Sequence, residues 1–244
     1  MRTTGREWTV LTWNIQGTKR TDLDRLAAVI SAESPDVVAL QEVRKPQASS
    51  LAERLSMTHC WAEKHNPLRP LFPGWAEGAA ILTPHSMSST GDAQVSSESS
   101  KRSYRRRIVQ WATVTRDDAS GYRVYNAHLS PHDLAAERLA EAIRIAEIVD
   151  EHGDAPPSVI AGDLNDAGEP QIIAALPGIE VLSAPLTNPA RSPEQALDHV
   201  LVPPEATEVS IGAPVGGDEW ADLSDHLPVT VRFTLEWVAD GFAG

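Results

Sequence analysis

The chain has one cysteine, Cys60, in 244 residues, so no intramolecular disulfide braces it, and a lone Cys reads as a small buried apolar residue. It has no run near the roughly 20 apolar residues that a membrane span needs. Its opening, MRTTGREWTV, contains no apolar segment of the signal-peptide kind. A cytoplasmic protein with no membrane span is the expectation. Basic residues are scarce, 21 Lys+Arg against 34 Asp+Glu, for a net charge of −13. Such a balance offers no general grip on a long polyanion, although it leaves room for a local basic site. No composition break, repeat, heptad or linker divides the chain, so residues 1–244, 41% hydrophobic, read as a single domain with a substantial core. Nothing marks a protein partner.

What is present is a series of strands that end in polar side chains, organised around VIAGDLND (159–166). There an apolar run ends in a tight turn at Gly162 and presents Asp163 and Asn165, which share a face if the strand direction continues. Taken alone, GDxN reads first as a plain Asx turn closing a strand, and the rest of the chain changes that weighting. The pattern recurs elsewhere. WTVLTWN (8–14) alternates and ends at Asn14, and the continuously apolar DVVAL (36–40) delivers Gln41 and Glu42. RIVQWATVT (107–115) and YRVYNAHL (122–129) form a hairpin over a DDASG turn, placing Asn126, a candidate substrate contact, and His128 near its end. LDHVLV (197–202) carries Asp198 at a strand entrance, and LSDHLPVTVRF (223–233) carries Asp225 and His226 just before one. GGDEWAD (216–222) adjoins Asp225, which puts Trp220 where a substrate would be touched.

Three helices are expected. One is capped by the T-D-L-D box at Thr21 with Leu23, Leu26, Ala27 and Ile30 inward. A short one covers 47–57 with Leu51 and Leu55 inward, and a longer one covers 134–149 with the stripe Leu139, Ile143, Ala146. THCWAE (58–63), GAAILT (78–83) and 86–95 read as further strands, and the Pro-rich stretch from His65 to Trp75 as a loop. Strands come in runs and helices singly, which favours two mixed or antiparallel sheets packed face to face with helices outside. KRSYRRR puts five cations in residues 101–107. It is either a solvated loop or a phosphate-facing arm, with Arg105 and Arg106 as its candidate substrate contacts.

As chemistry, the strand ends supply carboxylates (Glu42, Asp163, Asp198, Asp225), carboxamides (Asn14, Asn165) and imidazoles (His128, His226). Hard oxygen donors suit Mg²⁺ or Mn²⁺ better than zinc. His128 and His132 have a zinc-like spacing of four, but Pro131 between them forbids an ordinary helical interior. A hydrated hard cation that meets phosphate oxygens is what phosphoester hydrolysis requires. A histidine with an acid behind it, as in a His226–Asp198 pair, can accept a proton from water.

TWNIQG, LQEV, NAHL, GDLN, LDHVLV and SDHLPV, in this order over residues 11–231, resemble the motif series of the endonuclease/exonuclease/phosphatase superfamily. The resemblance implies a four-layer α-β-β-α sandwich with the site at one edge of the sheets. It also implies roles. Glu42 ligates the metal with Asn14 and Asp225 close to it, and Asp163 orients or deprotonates the attacking water. Asn165 binds the phosphate, and His128 stabilises the transition state or assists the leaving group. His226, polarised by Asp198, acts on water or on phosphate. Many members have Tyr where this chain has His199, and the long basic insertions of the DNA-repair members are missing.

The expectation is therefore a Mg²⁺- or Mn²⁺-dependent hydrolase of a small or short phosphodiester. A nuclease on DNA or RNA, a phosphomonoesterase or sphingomyelinase-like headgroup hydrolase, and a catalytically silent binding scaffold are the alternatives. The intact set of Glu42, Asp163, Asn165, Asp225 and His226 speaks against the scaffold.

Overall fold

A computed structural model describes residues 4–19, 21–65, 76–97, 106–131, 133–166, 168–179 and 183–237. Arg105, Trp75, His132 and most of the two loops around them lie outside the described residues. The strands are β1 (Thr4–Asn14), β2 (Val37–Arg44), β3 (Thr58–His65), β4 (Glu77–Thr83), β5 (Ser86–Gln94), β6 (Ile108–Thr115), β7 (Gly121–His128), β8 (Ser158–Asp163), β9 (Asp198–Leu201), β10 (Thr207–Gly212) and β11 (Val229–Trp237). The helices are α1 (Leu23–Glu33), α2 (Lys45–Leu55), α3 (Ala135–Glu151), α4 (Pro170–Ala175) and α5 (Asp218–Ala221).

Two mixed sheets result. One has six strands in the order β10-β11-β1-β2-β4-β3, the other five in the order β5-β6-β7-β8-β9. β1 with β2 and β7 with β8 are the parallel pairs, each bridged by a helix-containing connection. Val10, Val37, Ile81 and Phe233 of the first sheet meet Val124, Val159 and Val200 of the second in a core between the sheets. Leu11, Trp13, Leu40 and Leu82 face α1 and α2 on one outer side, and Tyr125, Ile160 and Leu201 face α3 and α4 on the other. The protein is thus a four-layer α/β sandwich, as the strand and helix pattern implies. The central strands are buried on both faces, which is why DVVAL and VIAG are apolar at successive positions.

Three local details differ from the sequence expectations. The N-cap of α1 is Asp22, one residue later than Thr21, and its carboxylate accepts from the backbone N–H groups of Asp24 and Arg25. α3 presents Ala142, Ile145 and Ile148 inward and leaves Ile143 46% exposed. The stripe is displaced because Arg138 and Glu141, polar yet buried, belong to its inner face. Gly162 makes no turn. It lies within β8, where a Cβ would meet the Ala127 carbonyl oxygen at 1.9 Å, so glycine allows β7 and β8 to pack closely beside the site.

Candidate active site

Strand register assembles the site. His128 pairs with Asp163, and Asp163 pairs with Asp198, which places one imidazole and two carboxylates in a row across the carboxyl ends of β7 and β8 and the start of β9. On the facing sheet Asn14, the last residue of β1, is paired with Gln41 within β2. Because the two sheets pack face to face, the rows meet. Asn14 Nδ2 donates to Asp163 Oδ2 at 3.0 Å, while His128 Nε2 and His226 Nε2 stand 3.6 and 3.7 Å from the same oxygen.

Asp163 is therefore the hub. Burial raises its carboxyl to about 6; the His226 charge opposes that rise and Asp198 adds to it. Beyond it the chain leaves the strand direction. Asn165 takes φ 50° and its N–H donates to Asp163 Oδ1 at 3.2 Å, so the Asx-turn reading and the site reading of GDLN both apply. Asn165 Nδ2 donates to the Leu129 carbonyl at 3.1 Å, which fixes the carboxamide and leaves its second N–H available.

His226 is held from behind. Its Nδ1 lies 2.7 Å from Asp198 Oδ2, which also accepts from Thr187 Oγ1 at 2.5 Å. Burial alone disfavours the imidazolium, but Asp198 and Asp163 outweigh it and raise the group to about 10, so His226 is a cation at neutral pH. His128 is the opposite case. Burial, together with Lys64, Arg107 and His226 nearby, holds it well below the usual histidine range, and it is neutral.

Glu42 sits where the β2–β4 pairing shifts register, in a left-handed conformation (φ 53°), with its carbonyl accepting from Gly17 N–H. β2 thus continues past Glu42 to Arg44 instead of ending there. The Glu42 carboxylate has no hydrogen-bond or ion-pair partner among the described residues. Burial first, then Glu77 against the opposing charge of Lys64, then Asp163 and Asp225, push it up to about 7. Asp225 is reached by Gln16 Nε2 at 2.9 Å, and Ser224 Oγ donates to the Asn14 carbonyl at 2.6 Å, which ties the SDH segment to the end of β1.

A hard cation fits this set. Glu42 is an unpaired carboxylate among other acids, and the closed-off Gln16 Oε1 and Asp198 Oδ1 are left without donors. Asp163, Asp198 and His226 have ligand-type atoms within 4.8 Å of one another, yet His226 Nδ1 is engaged by Asp198. Within that trio only His226 and Asp198 are hydrogen-bonded, with Asp163 Oδ2 3.7 Å from His226 Nε2, whereas the unengaged oxygen donor is Glu42.

Some expected contacts lie elsewhere. Asn126 is 0% exposed; its Oδ1 accepts from Gln41 Nε2, and its Nδ2 donates to the Leu40 and Ala80 carbonyls. It is a strut between the sheets and not a substrate contact. Arg106 Nη1 donates to the Glu63 carbonyl at 3.0 Å, pinning β3 and not extending into solvent. Trp220 lies edge-on to Trp13, 6.2 Å between rings, against the core edge. Gln16, Thr187, Lys64 and Arg107 were not singled out by the sequence. Only the LDHV–SDH pattern hints that Asp198 has a helper, and Thr187 reaches it through the fold alone.

A two-sheet sandwich with Asp, Asn and His at one edge defines a class, the phosphoester hydrolases built on this architecture. Residues 11–226 match the Endonuclease/Exonuclease/phosphatase family, and the chain belongs to it. It is 26% identical over 238 residues to the Escherichia coli (strain K12) "Uncharacterized protein YbhP", covering 89% of this chain and 90% of that one. A Bacteroides vulgatus endonuclease/exonuclease/phosphatase superposes with a TM-score of 0.77 at 21% identity, covering 95% of this chain and 100% of the other. The Bacteroides thetaiotaomicron VPI-5482 mannosyl-6-phosphatase Bt3783 superposes at 0.69 with 18% identity, covering 93% and 99%. Enzymes of the family hydrolyse phosphoester bonds and are generally dependent on divalent metal. No described helix is long and apolar enough to cross a membrane.

Proposed function

We propose that the protein is a Mg²⁺- or Mn²⁺-dependent phosphodiesterase acting on a small or short substrate. The observation that carries the proposal is the Asp163 hub, one buried carboxylate shared by Asn14, His128 and His226, beside the unpartnered Glu42. Glu42, with Asp225 and Asn14 around it, is the set that would hold the cation, which when bound neutralises charge on the phosphoryl oxygens.

The chain's own groups divide the remaining work. Asp163, raised to about 6, is suited to orient water and accept its proton near neutral pH. His226, cationic and fixed by Asp198, faces the phosphoryl oxygens as a charge stabiliser or proton donor, which its raised pKa favours over a role as base. The free N–H of Asn165 reaches a phosphate oxygen, and neutral His128 assists the leaving group. A net charge of −13 and the tethering of Arg106 to β3 favour a small substrate over a long duplex.

The test is a panel of a small phosphodiester, a phosphomonoester, an oligonucleotide and a phospholipid headgroup ester, assayed with Mg²⁺ or Mn²⁺. The small diester is expected to turn over fastest. A monoester or long DNA hydrolysed much faster would replace this reading with a phosphatase or a nuclease.

A further inference from the structure

Two arginines are buried among the described residues, and they differ in their partners. Arg138, 0% exposed, donates to the Ser130 and Pro131 carbonyls and pairs with Glu169 at 2.7 Å. Arg107, 7% exposed, has no side-chain hydrogen bond or ion pair among the described residues, and its Nε is closed off from solvent. The charges of Glu141 and Asp163 act on Arg107 without hydrogen-bonding its guanidinium, and buried N–H donors left without an acceptor are costly. Such a group persists when something else supplies the acceptor.

Its position says where that anion would lie. Arg107 immediately precedes β6, whose Val109 pairs with Ala127, the neighbour of His128. Its exposure is close to that of His128, at 8%, and His226, at 6%, so all three are enclosed but not sealed. Lys64 brings a second buried cation to the same neighbourhood and is held by Glu77 at 2.6 Å. Burial first, then the Arg107 charge, holds the Lys64 ammonium below its usual range against Glu77 and Glu42, and after burial both cations help lower His128. A guanidinium fork presents paired N–H donors matched to phosphate oxygens.

We infer that Arg107, with the Lys64 charge behind it, is an anion subsite that binds a phosphate oxyanion of the substrate beside His128. The inference rests on the phosphoester reading of the neighbouring site and adds a recognition element to it. The phosphate is either the scissile one or an adjacent one on the same substrate, and the chemistry is the same for both.

The experiment is calorimetric titration of inorganic phosphate into the full chain without added metal, for wild type, Arg107→Met and Arg107→Lys, with thermal melts in phosphate-free buffer. Wild type should bind phosphate, Arg107→Lys should bind it more weakly, and Arg107→Met should lose about tenfold or more in affinity. Arg107→Met should melt at or above the wild-type temperature, since it removes an unpaired buried charge. Equal phosphate affinity in all three proteins, or no phosphate binding by wild type, would overturn the subsite. If Arg107→Met fails to fold, the Arg107→Lys titration still decides the question.

A second arm compares KM for a diester with a single phosphate and for one carrying an additional terminal phosphate. A rise for both in Arg107→Lys assigns the subsite to the scissile group, and a rise for the second alone assigns it to the neighbouring phosphate. No rise for either overturns the inference. Phosphate binding that depends on Arg107 in a protein that hydrolyses no ester would leave the subsite standing and remove the proposed activity.

Discussion

The two ends of the sandwich both enclose charged groups, and they treat them differently. At the end away from the site, Asp36 accepts from the Thr9 N–H at 2.8 Å, from Arg116 Nη2 at 2.6 Å and lies 2.7 Å from His85 Nε2. Arg116 is stacked 3.8 Å above the Trp8 ring, and Thr83 Oγ1 donates to the Asp36 carbonyl. Each charge there has its partner within the chain, so the cluster stitches the start of β2 to the ends of β4 and β6. At the other end the Glu42 carboxylate, the Arg107 guanidinium and one oxygen of Asp198 lack hydrogen-bond partners among the described residues, and Asp163 is shared by three neighbours. A closed network serves the fold, whereas an open one is destabilising until something from outside completes it.

Substitutions should separate the two ends. The largest effect is expected for Asp163→Asn, which should lower turnover by about 10²-fold or more while the melting temperature holds or rises, because it removes a buried carboxylate facing Asp198. Loss of turnover together with early melting would make Asp163 part of the scaffold. Next, Asp36→Asn should cost about 2–4 kcal/mol, roughly 5–15 °C in melting temperature, and leave kcat on a small diester near the wild-type value. An Asp36→Asn protein that melts normally but hydrolyses slowly would erase the distinction between the ends.

A pH experiment sharpens the comparison. The Glu42 carboxyl is raised from its ordinary 4.5 to about 7, so the folded chain holds that proton more tightly than the unfolded chain does. Its contribution to stability is greatest at acid pH and is lost as pH rises from the ordinary value through about 7. A divalent cation competes with that proton, so the rise in melting temperature on adding Mg²⁺ should be larger near about pH 8 than near about pH 5. A rise independent of pH would dissociate Glu42 from the metal. The smallest effect is expected for Arg106→Gln. Because its guanidinium already donates to the Glu63 carbonyl, the salt dependence of oligonucleotide cleavage should change by well under about one unit of slope. A full unit would restore the basic arm.

The strand ends were legible because their signals are local. An apolar run that stops at Asn14, Glu42 or Asp163 states both the strand and the residue it presents, and the order of these stops carries the family. β10 was not legible. TEVSIG lies on an exposed sheet edge, and its alternation is only Val209 and Ile211, both partly buried, too short to stand out beside Val229–Trp237. Asn126 misled for the reverse reason, since a polar residue near a strand end looks like a site residue unless the facing sheet is known to offer Gln41. Arg107 was counted both in the basic cluster 101–107 and in a strand reading of 107–115, and neither reading marks it as a buried cation. Its lack of partners is a property of the packed molecule and leaves no trace in RRRIVQW.

The most direct test is the initial rate on a small phosphodiester with Mg²⁺ or Mn²⁺ and with the metal chelated, for wild type, Glu42→Gln and Asp36→Asn. The open-end account predicts metal-dependent turnover in wild type and Asp36→Asn and its loss in Glu42→Gln, which should also bind metal more weakly by calorimetry. A wild-type rate that survives chelation, or a Glu42→Gln protein that binds metal and turns over like wild type, would contradict it.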